Sequence, residues 1–166
     1  MRATAMSESA YATTTVPVER SQGEIRKLLV SHGVERLAFG EERDDTGQRW
    51  AMVTFQGGIH AVRLRVPLKL VDERTVMAKY QRARSKTRDD IRNELYAQEE
   101  RRIWRVLAWN LKARLVAVEE GVETFEEAFL AHLLDPRSGR TIYEHLAEEG
   151  HVELGAPLLA LPSGER

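Results

Sequence analysis

The segment from Thr87 to Gly121 constrains the fold more than any other part of the chain. Thr87 followed by Asp90 predicts a helix start, because a threonine oxygen caps early amides and an acid in the first turn favours the positive helix end. Gly121 supplies a left-handed stop, so the helix is expected to run to about Glu120. A helix of about 30 residues spans roughly 45 Å at 1.5 Å per residue, longer than one small core can bury. Its halves differ accordingly. The first is polar apart from Ile91, Leu95 and Tyr96, whereas Ile103, Trp104, Val106, Leu107, Leu111, Leu115 and Val118 form a broad apolar arc in the second.

Residues 34–67 read as a three-stranded antiparallel meander with turns at Asp44-Asp45-Thr46-Gly47 and Gln56-Gly57-Gly58. Taking Gly57 and Gly58 as a two-residue loop predicts Phe55 opposite His60, Val53 opposite Val62, Ala51 opposite Leu64, Met52 opposite Arg63 and Trp50 opposite Arg65. One face then collects Leu37, Phe39, Ala51, Val53, Phe55, Val62, Leu64 and Val66, a core face for the first helix to cover. The other holds Trp50, Met52, Arg63 and Arg65, with Arg36 on the neighbouring strand.

Upstream, the β-branched run Thr13 to Val18 with Pro17 predicts an edge strand. Ser21 with Glu24 then predicts a capping box opening a helix that carries Ile25, Leu28 and Leu29 and stops at Gly33. Downstream, Thr124 with Glu127 opens a helix carrying Phe125, Phe129 and Leu133 and ending at Asp135-Pro136, and Thr141 with Glu144 opens a short last one. The expected fold class is α+β: strand, helix, three-stranded antiparallel meander, then a long helix and two shorter ones. At 166 residues this is a single domain over 12–150. It divides into a β-rich half at 12–70, a basic linker or loosely held helix at 71–88 and a helical half at 89–150, between tails at 1–11 and 151–166.

Charge is distributed unevenly. Residues 1–70 hold 10 basic and 8 acidic side chains, 71–118 hold 12 and 7, and 119–166 hold 3 and 11. A basic middle followed by an acidic end fits a phosphate-binding surface beside a self-shielding segment, or two faces that pair with each other or with another subunit. Three groups supply candidate nucleic-acid contacts. Trp50, Arg63 and Arg65 combine an aromatic ring with guanidinium groups on one sheet face, as single-strand binders do. The alternative for that face is burial of Trp50 and Met52 under the long helix, with Arg65 stacked on the Trp50 indole. Lys79, Arg82, Arg84, Lys86 and Arg88 form an acid-free run in the linker. Arg101, Arg105 and Lys112 fall within roughly 40° of one another around the long helix, with Trp109 beside them. Like charges four apart destabilise a bare helix, so Arg101 and Arg105 require an anionic partner: phosphate, or the glutamates of 119–127.

Several chemistries find no support. There are no cysteines, which removes thiolate metal sites, disulfides and cysteine nucleophiles. Asp45-Thr46-Gly47 matches the aspartic-protease tripeptide, but charged residues rather than an apolar strand precede it, so a hairpin turn is the reading. Glu148 and His151 have Glu-x-x-His spacing only once and across Gly150, which is no metal signature. The five histidines are scattered, no serine lies in a Gly-x-Ser-x-Gly frame, and no phosphate loop or dinucleotide fingerprint is present. No cofactor is expected. No apolar run approaches the roughly 18 residues of a membrane span, and no secretory leader opens the chain, so a cytoplasmic location without membrane contact is expected.

The runs TTTVPVERSQGEIRKLLVSHG, VRLRVPL and RRIWRVLAWNLKARLVAVEEGVETFEEAFLAHLLDPRSGRTIYEHL resemble a family of small uncharacterised proteins of tailed bacteriophages and prophages, over most of residues 12–146. The resemblance implies a phage-type accessory protein acting in the bacterial cytoplasm and carries over no catalytic residues. The leading expectation is a non-enzymatic module that binds DNA or RNA. The alternative is a protein-interaction or self-assembly module, a homo-oligomer or a binder of a host or phage protein, using the arc of Trp104, Leu107, Leu111 and Leu115. An enzyme ranks third, for want of a convergent acid, base or nucleophile set.

Overall fold

The computed structural model describes residues 10–148, so most of the expected N-terminal tail, all of 151–166 and His151 lie outside the described residues. The chain is α+β. Helix α1 spans Val18–Ser31, followed by strands β1 (Arg36–Arg43), β2 (Arg49–Gly57) and β3 (His60–Pro67). Helices α2 (Glu73–Arg82), α3 (Arg88–Glu119), α4 (Phe125–Phe129) and α5 (Ile142–Glu148) complete it, with a single 3-10 turn at Leu130–His132 after α4.

Helix α3 has the predicted ends. Thr87 and Asp90 form a reciprocal capping box, and the helix runs unbroken for 32 residues to a C-cap at Glu120, beyond which Gly121 takes φ +69°. Its apolar second half lies on the meander, where Trp104 meets Phe39 edge to face at 5.6 Å between centroids. Ile25 and Leu29 of α1 join the same core, together with Ala51, Val53, Phe55, Val62 and Leu64 of the sheet. The sheet is therefore covered by α1, as expected, and also by α3, which was not expected on this face. Trp104, Leu107, Leu111 and Leu115 are 0–2% exposed. The arc proposed as an intermolecular face is used inside the chain, because an apolar sheet face is the nearer partner for it.

The polar first half of α3 is held by charge and by one small apolar contact. Most of residues 71–88 is helix: Asp72 caps α2, whose Val76 is fully buried, and Ile91 of α3 is 3% exposed. Arg92 pairs with Glu73 of α2, Arg49 of β2 pairs with Glu100, and Glu99 pairs with Arg102 along the helix. Only residues 83–87 remain as a connection between α2 and α3.

The sheet is the predicted meander in order β1-β2-β3, but its second register differs. Gly57 opposes His60, so the turn is centred on Gly58 and Ile59; Phe55 opposes Val62, Val53 opposes Leu64, Met52 opposes Arg65 and Trp50 opposes Pro67. The shift is two residues, which preserves the faces because side chains alternate with period two. Gly58 takes the positive φ of +58° that the first central position of a type II′ turn requires. Gly57 is glycine for another reason. A Cβ there would lie 2.5 Å from the Phe125 Cζ, so the strand end must be bare where α4 crosses it.

Two further expectations are corrected near the N-terminus. Residues 13–17 form no strand; Gln98 of α3 donates to the carbonyls of Ala12 and Thr14 at 2.9 and 3.0 Å, which ties the segment to the helix instead of to a sheet edge. Ser21 does not cap α1. The helix starts one turn earlier, with Pro17 at the N-cap accepting from the Ser21 amide, since proline needs no amide partner of its own. At the other end, α4 stops at Phe129 rather than running to Asp135. Leu133 forms a bridge with Val62 on the outer edge of β3, and the Leu134 amide donates to the Ala61 carbonyl at 2.8 Å. Thr141 and Glu144 exchange capping hydrogen bonds at the start of α5, as predicted.

Candidate nucleic-acid interface

The eleven candidate contacts do not form one surface. The structure divides them among three places: the sheet face beneath α5, the exposed run on α2 and after it, and the side of α3 that meets α1.

Trp50, Arg63 and Arg65 stay on one sheet face but are engaged internally. Arg65 stacks on the Trp50 ring at 4.2 Å, and the Trp50 Nε1 donates to Asp44 Oδ2 at 2.9 Å. Arg63 donates to Glu144 of α5 at 2.7 Å. The cover is not the long helix, which occupies the opposite face, but the segment from Ala131 to Glu144. Arg36 is exposed and lies apart, beside Glu35 and Gln56.

The same corner holds the first hairpin turn. Asp44 Oδ1 accepts from the Thr46 amide, the Thr46 hydroxyl and the Gln48 amide, and Gly47 has φ +83°. The Thr46 hydroxyl and the Trp50 indole, with those amides, hold the Asp44 carboxyl at about 2. Asp45-Thr46-Gly47 is thus a turn sequence, organised by its preceding aspartate.

The run from Lys79 to Arg88 is exposed on α2 and the connection after it. Lys86 pairs with Glu94 at 2.5 Å and Arg88 lies over the Tyr80 ring at 5.3 Å. Lys79, Arg82 and Arg84 have no ion pair among the described residues. Lys79 shares a hollow of about 260 Å³ with Arg101 across the α2–α3 contact.

Arg101, Arg105 and Lys112 lie along one side of α3 over about 17 Å of helix, the two arginines half-buried and Lys112 exposed. Their anionic partner is not the 119–127 glutamates. Arg105 pairs with Glu24 of α1, which Arg20 also approaches at 3.6 Å, and Arg101 donates to Gln98 at 2.6 Å. The reason is geometric: α1 lies along α3 at these residues, while 119–127 lies beyond its far end.

Where α1 and α3 run side by side they leave a groove of about 510 Å³. Lys27 and Leu28 line it from α1, and Arg105, Ala108, Trp109 and Lys112 from α3. Trp109 is 50% exposed, with Lys112 Nζ 5.8 Å from its centroid and Tyr11 stacked on it at 6.3 Å and 24°. Tyr11 holds this position at φ +61°, a conformation that a bulky residue adopts at a cost of about 1–3 kcal/mol. The groove walls carry three cations against the single carboxylate of Glu24. Lys27 and Tyr11 were not among the sequence candidates. Glu24, Lys27, Leu28 and Ser31 repeat at helical spacing on one side of α1, and that pattern marks the side that meets α3.

One further polar cluster deserves comparison with a catalytic triad. Ser138 Oγ lies 2.8 Å from both His145 Nε2 and Asp135 Oδ2, and Asp135 lies 3.3 Å from that same histidine nitrogen. A relay needs the carboxylate on the opposite ring nitrogen, so this is a loop clamp across 135–145. Among the described residues no three His, Asp or Glu side chains converge as metal ligands, and no helix is long and apolar enough to cross a membrane. Comparison with protein-family models, curated proteins and solved structures finds no match.

Proposed function

We propose that the chain is a non-enzymatic module that binds single-stranded nucleic acid along the groove between α1 and α3. The observation that carries this reading is the α1–α3 groove, in which Lys27, Arg105 and Lys112 flank the half-exposed Trp109. Phosphates meet the cations while a base stacks on the indole, the combination by which single strands are held without sequence readout. Arg101 and Lys79 continue this line of cations toward α2, in a hollow that Glu94 also lines.

A single strand suits the site better than a duplex. The face of α3 is recessed between α1 and α2, whereas reading a duplex groove requires an element that projects from the surface. The sheet-face residues Trp50, Arg63 and Arg65 are not part of the contact in this reading, because they face α5. The resemblance to phage and prophage proteins supports a role in phage or host DNA transactions, and a cytoplasmic location belongs to the same proposal.

The test is fluorescence anisotropy with a labelled oligothymidylate about 12 nucleotides long, within the usual range of single-strand site sizes. Trp109→Ala is expected to weaken binding by roughly 5- to 150-fold, the range of one lost stacking contact. Arg63→Gln is expected to leave it unchanged. Absence of binding by the intact chain at low salt overturns the proposal, as does equal loss in both variants.

A further inference from the structure

We propose that the pocket between the sheet and α5 is a binding site for a small organic carboxylate with an apolar body, and that Glu144 is the internal group it competes with. The pocket has a volume of about 370 Å³, within the range of small-molecule sites of roughly 300–1,000 Å³. Arg63 and Arg65 line it from β3, Trp50 from β2, and Ala131 and Tyr143 from the C-terminal segment. It is separate from the α1–α3 groove and does not depend on the reading given to that groove.

The two arginines differ in how they are satisfied. Their side chains are 24% and 27% exposed, so both guanidinium groups are largely withdrawn from water. Arg63 donates to Glu144 Oε2, the oxygen that also accepts from the Thr141 amide at 2.8 Å. Arg65 is left over. Its nearest carboxylates among the described residues are Glu42 at 3.5 Å and the second oxygen of Glu144 at 4.0 Å, both at or beyond hydrogen-bond reach. Its Nε is buried without an acceptor, and so is that of Arg63. A largely buried guanidinium without acceptors is costly, and its planar fork is matched by a carboxylate.

The walls select the rest of the ligand. The Trp50 ring fixes the plane of Arg65 at 4.2 Å, and Tyr143, 60% exposed, stands at the mouth. A flat apolar body on the carboxylate fills the space between these rings. Bare inorganic anions would gain the guanidinium contact but nothing from the walls. Glu144 already places one carboxylate between the arginines, as the capping residue of the seven-residue α5. It therefore acts as a tethered competitor, and α5 must yield slightly for a ligand to reach Arg65.

The experiment is isothermal titration of the full chain with benzoate, its neutral analogue benzamide, and inorganic phosphate. Benzoate is expected to bind and to quench tryptophan fluorescence, with benzamide and phosphate each at least about tenfold weaker. Glu144→Gln keeps an oxygen to accept from Thr141 but removes the competing charge, so it is expected to tighten benzoate binding about tenfold. Arg65→Gln is expected to abolish it. A gain in Glu144→Gln has a sign that unfolding cannot imitate. No benzoate binding by Glu144→Gln overturns the proposal; benzamide binding as tightly as benzoate overturns the anion assignment, and phosphate binding as tightly overturns the apolar body. None of these outcomes bears on oligonucleotide binding in the groove, which the Trp109 variant reports.

Discussion

Gly57→Ala tests the packing of α4 on the β2 end, where the structure gives a specific magnitude. The added Cβ would lie 2.5, 3.0 and 3.2 Å from three atoms of the Phe125 ring. Carbon atoms pack best at about 3.5–4.0 Å, so the ring must retreat by roughly 1 Å. It is not free to do so without loss, because its centroid lies 4.9 Å from that of the fully buried Phe129, which in turn meets Phe55 edge to face at 5.6 Å. Overpacking of this kind costs about 1–3 kcal/mol. Against it stands a gain of about 0.5–1 kcal/mol for replacing glycine within a strand. Taking the middle of each range, the expected net loss is about 1 kcal/mol.

The assay is urea unfolding followed by tryptophan fluorescence, in which that loss moves the midpoint down by roughly 0.5–1 M. The decisive comparison is the same substitution in a Phe125→Ala background. There the clash is gone and only the strand gain remains, so Gly57→Ala is expected to stabilise by about 0.5–1 kcal/mol. A neutral or stabilising effect in the natural background refutes the reasoning, and so does a loss of equal size in both backgrounds.

Two other predictions concern protons. Asp44 has its carboxyl lowered to about 2, so its contribution to stability is complete above the ordinary carboxylate range and is lost as pH falls toward 2. Asp44→Ala is therefore expected to be less stable than the natural chain at pH 7 and to converge with it near pH 2 in acid-titrated urea midpoints; a constant gap contradicts the assignment. Burial, with Arg114 nearby, holds the His132 imidazole below its usual value, so the folded chain keeps it neutral and loses stability as pH falls through about 6.5 and below. His132→Gln is expected to flatten that part of the stability profile between pH 7 and 5, and an unchanged slope counts against it.

The elements legible in the sequence were those fixed by local chemistry. Thr87 with Asp90, Thr124 with Glu127 and Thr141 with Glu144 each hold both capping partners within four residues, and each pair opens a helix. The β2–β3 register is not legible locally because two adjacent glycines look alike in sequence while serving different ends: Gly58 for its positive φ and Gly57 for the space under Phe125, a residue far along the chain. Ser21 and Glu24 imitate a capping box, but Pro17 starts the helix a turn earlier and frees Glu24 to meet Arg105.

The candidate site divides in the same way. Arg105, Trp109 and Lys112 share one helix face, so their juxtaposition follows from helical spacing alone. Lys27 joins them only because α1 lies against α3, and Trp50, Arg63 and Arg65 are withdrawn only because α5 returns to the far face of the sheet. These are long-range contacts, which local periodicity does not encode. The acidic C-terminal region likewise answers different cations from those expected: Glu144 meets Arg63 of the sheet, while Arg105 in the basic middle is met by α1.

The most direct test of nucleic-acid binding is the salt dependence of oligothymidylate affinity, compared between the intact chain and a Lys27→Gln, Lys112→Gln double variant. Each phosphate neutralised on a single strand contributes about −0.7 to the slope of log affinity against log salt. The account predicts a clearly negative slope for the intact chain and one shallower by about 1.4 in the double variant, in which two phosphate contacts are lost. An affinity independent of salt, or a slope unchanged when both groove lysines are removed, contradicts it.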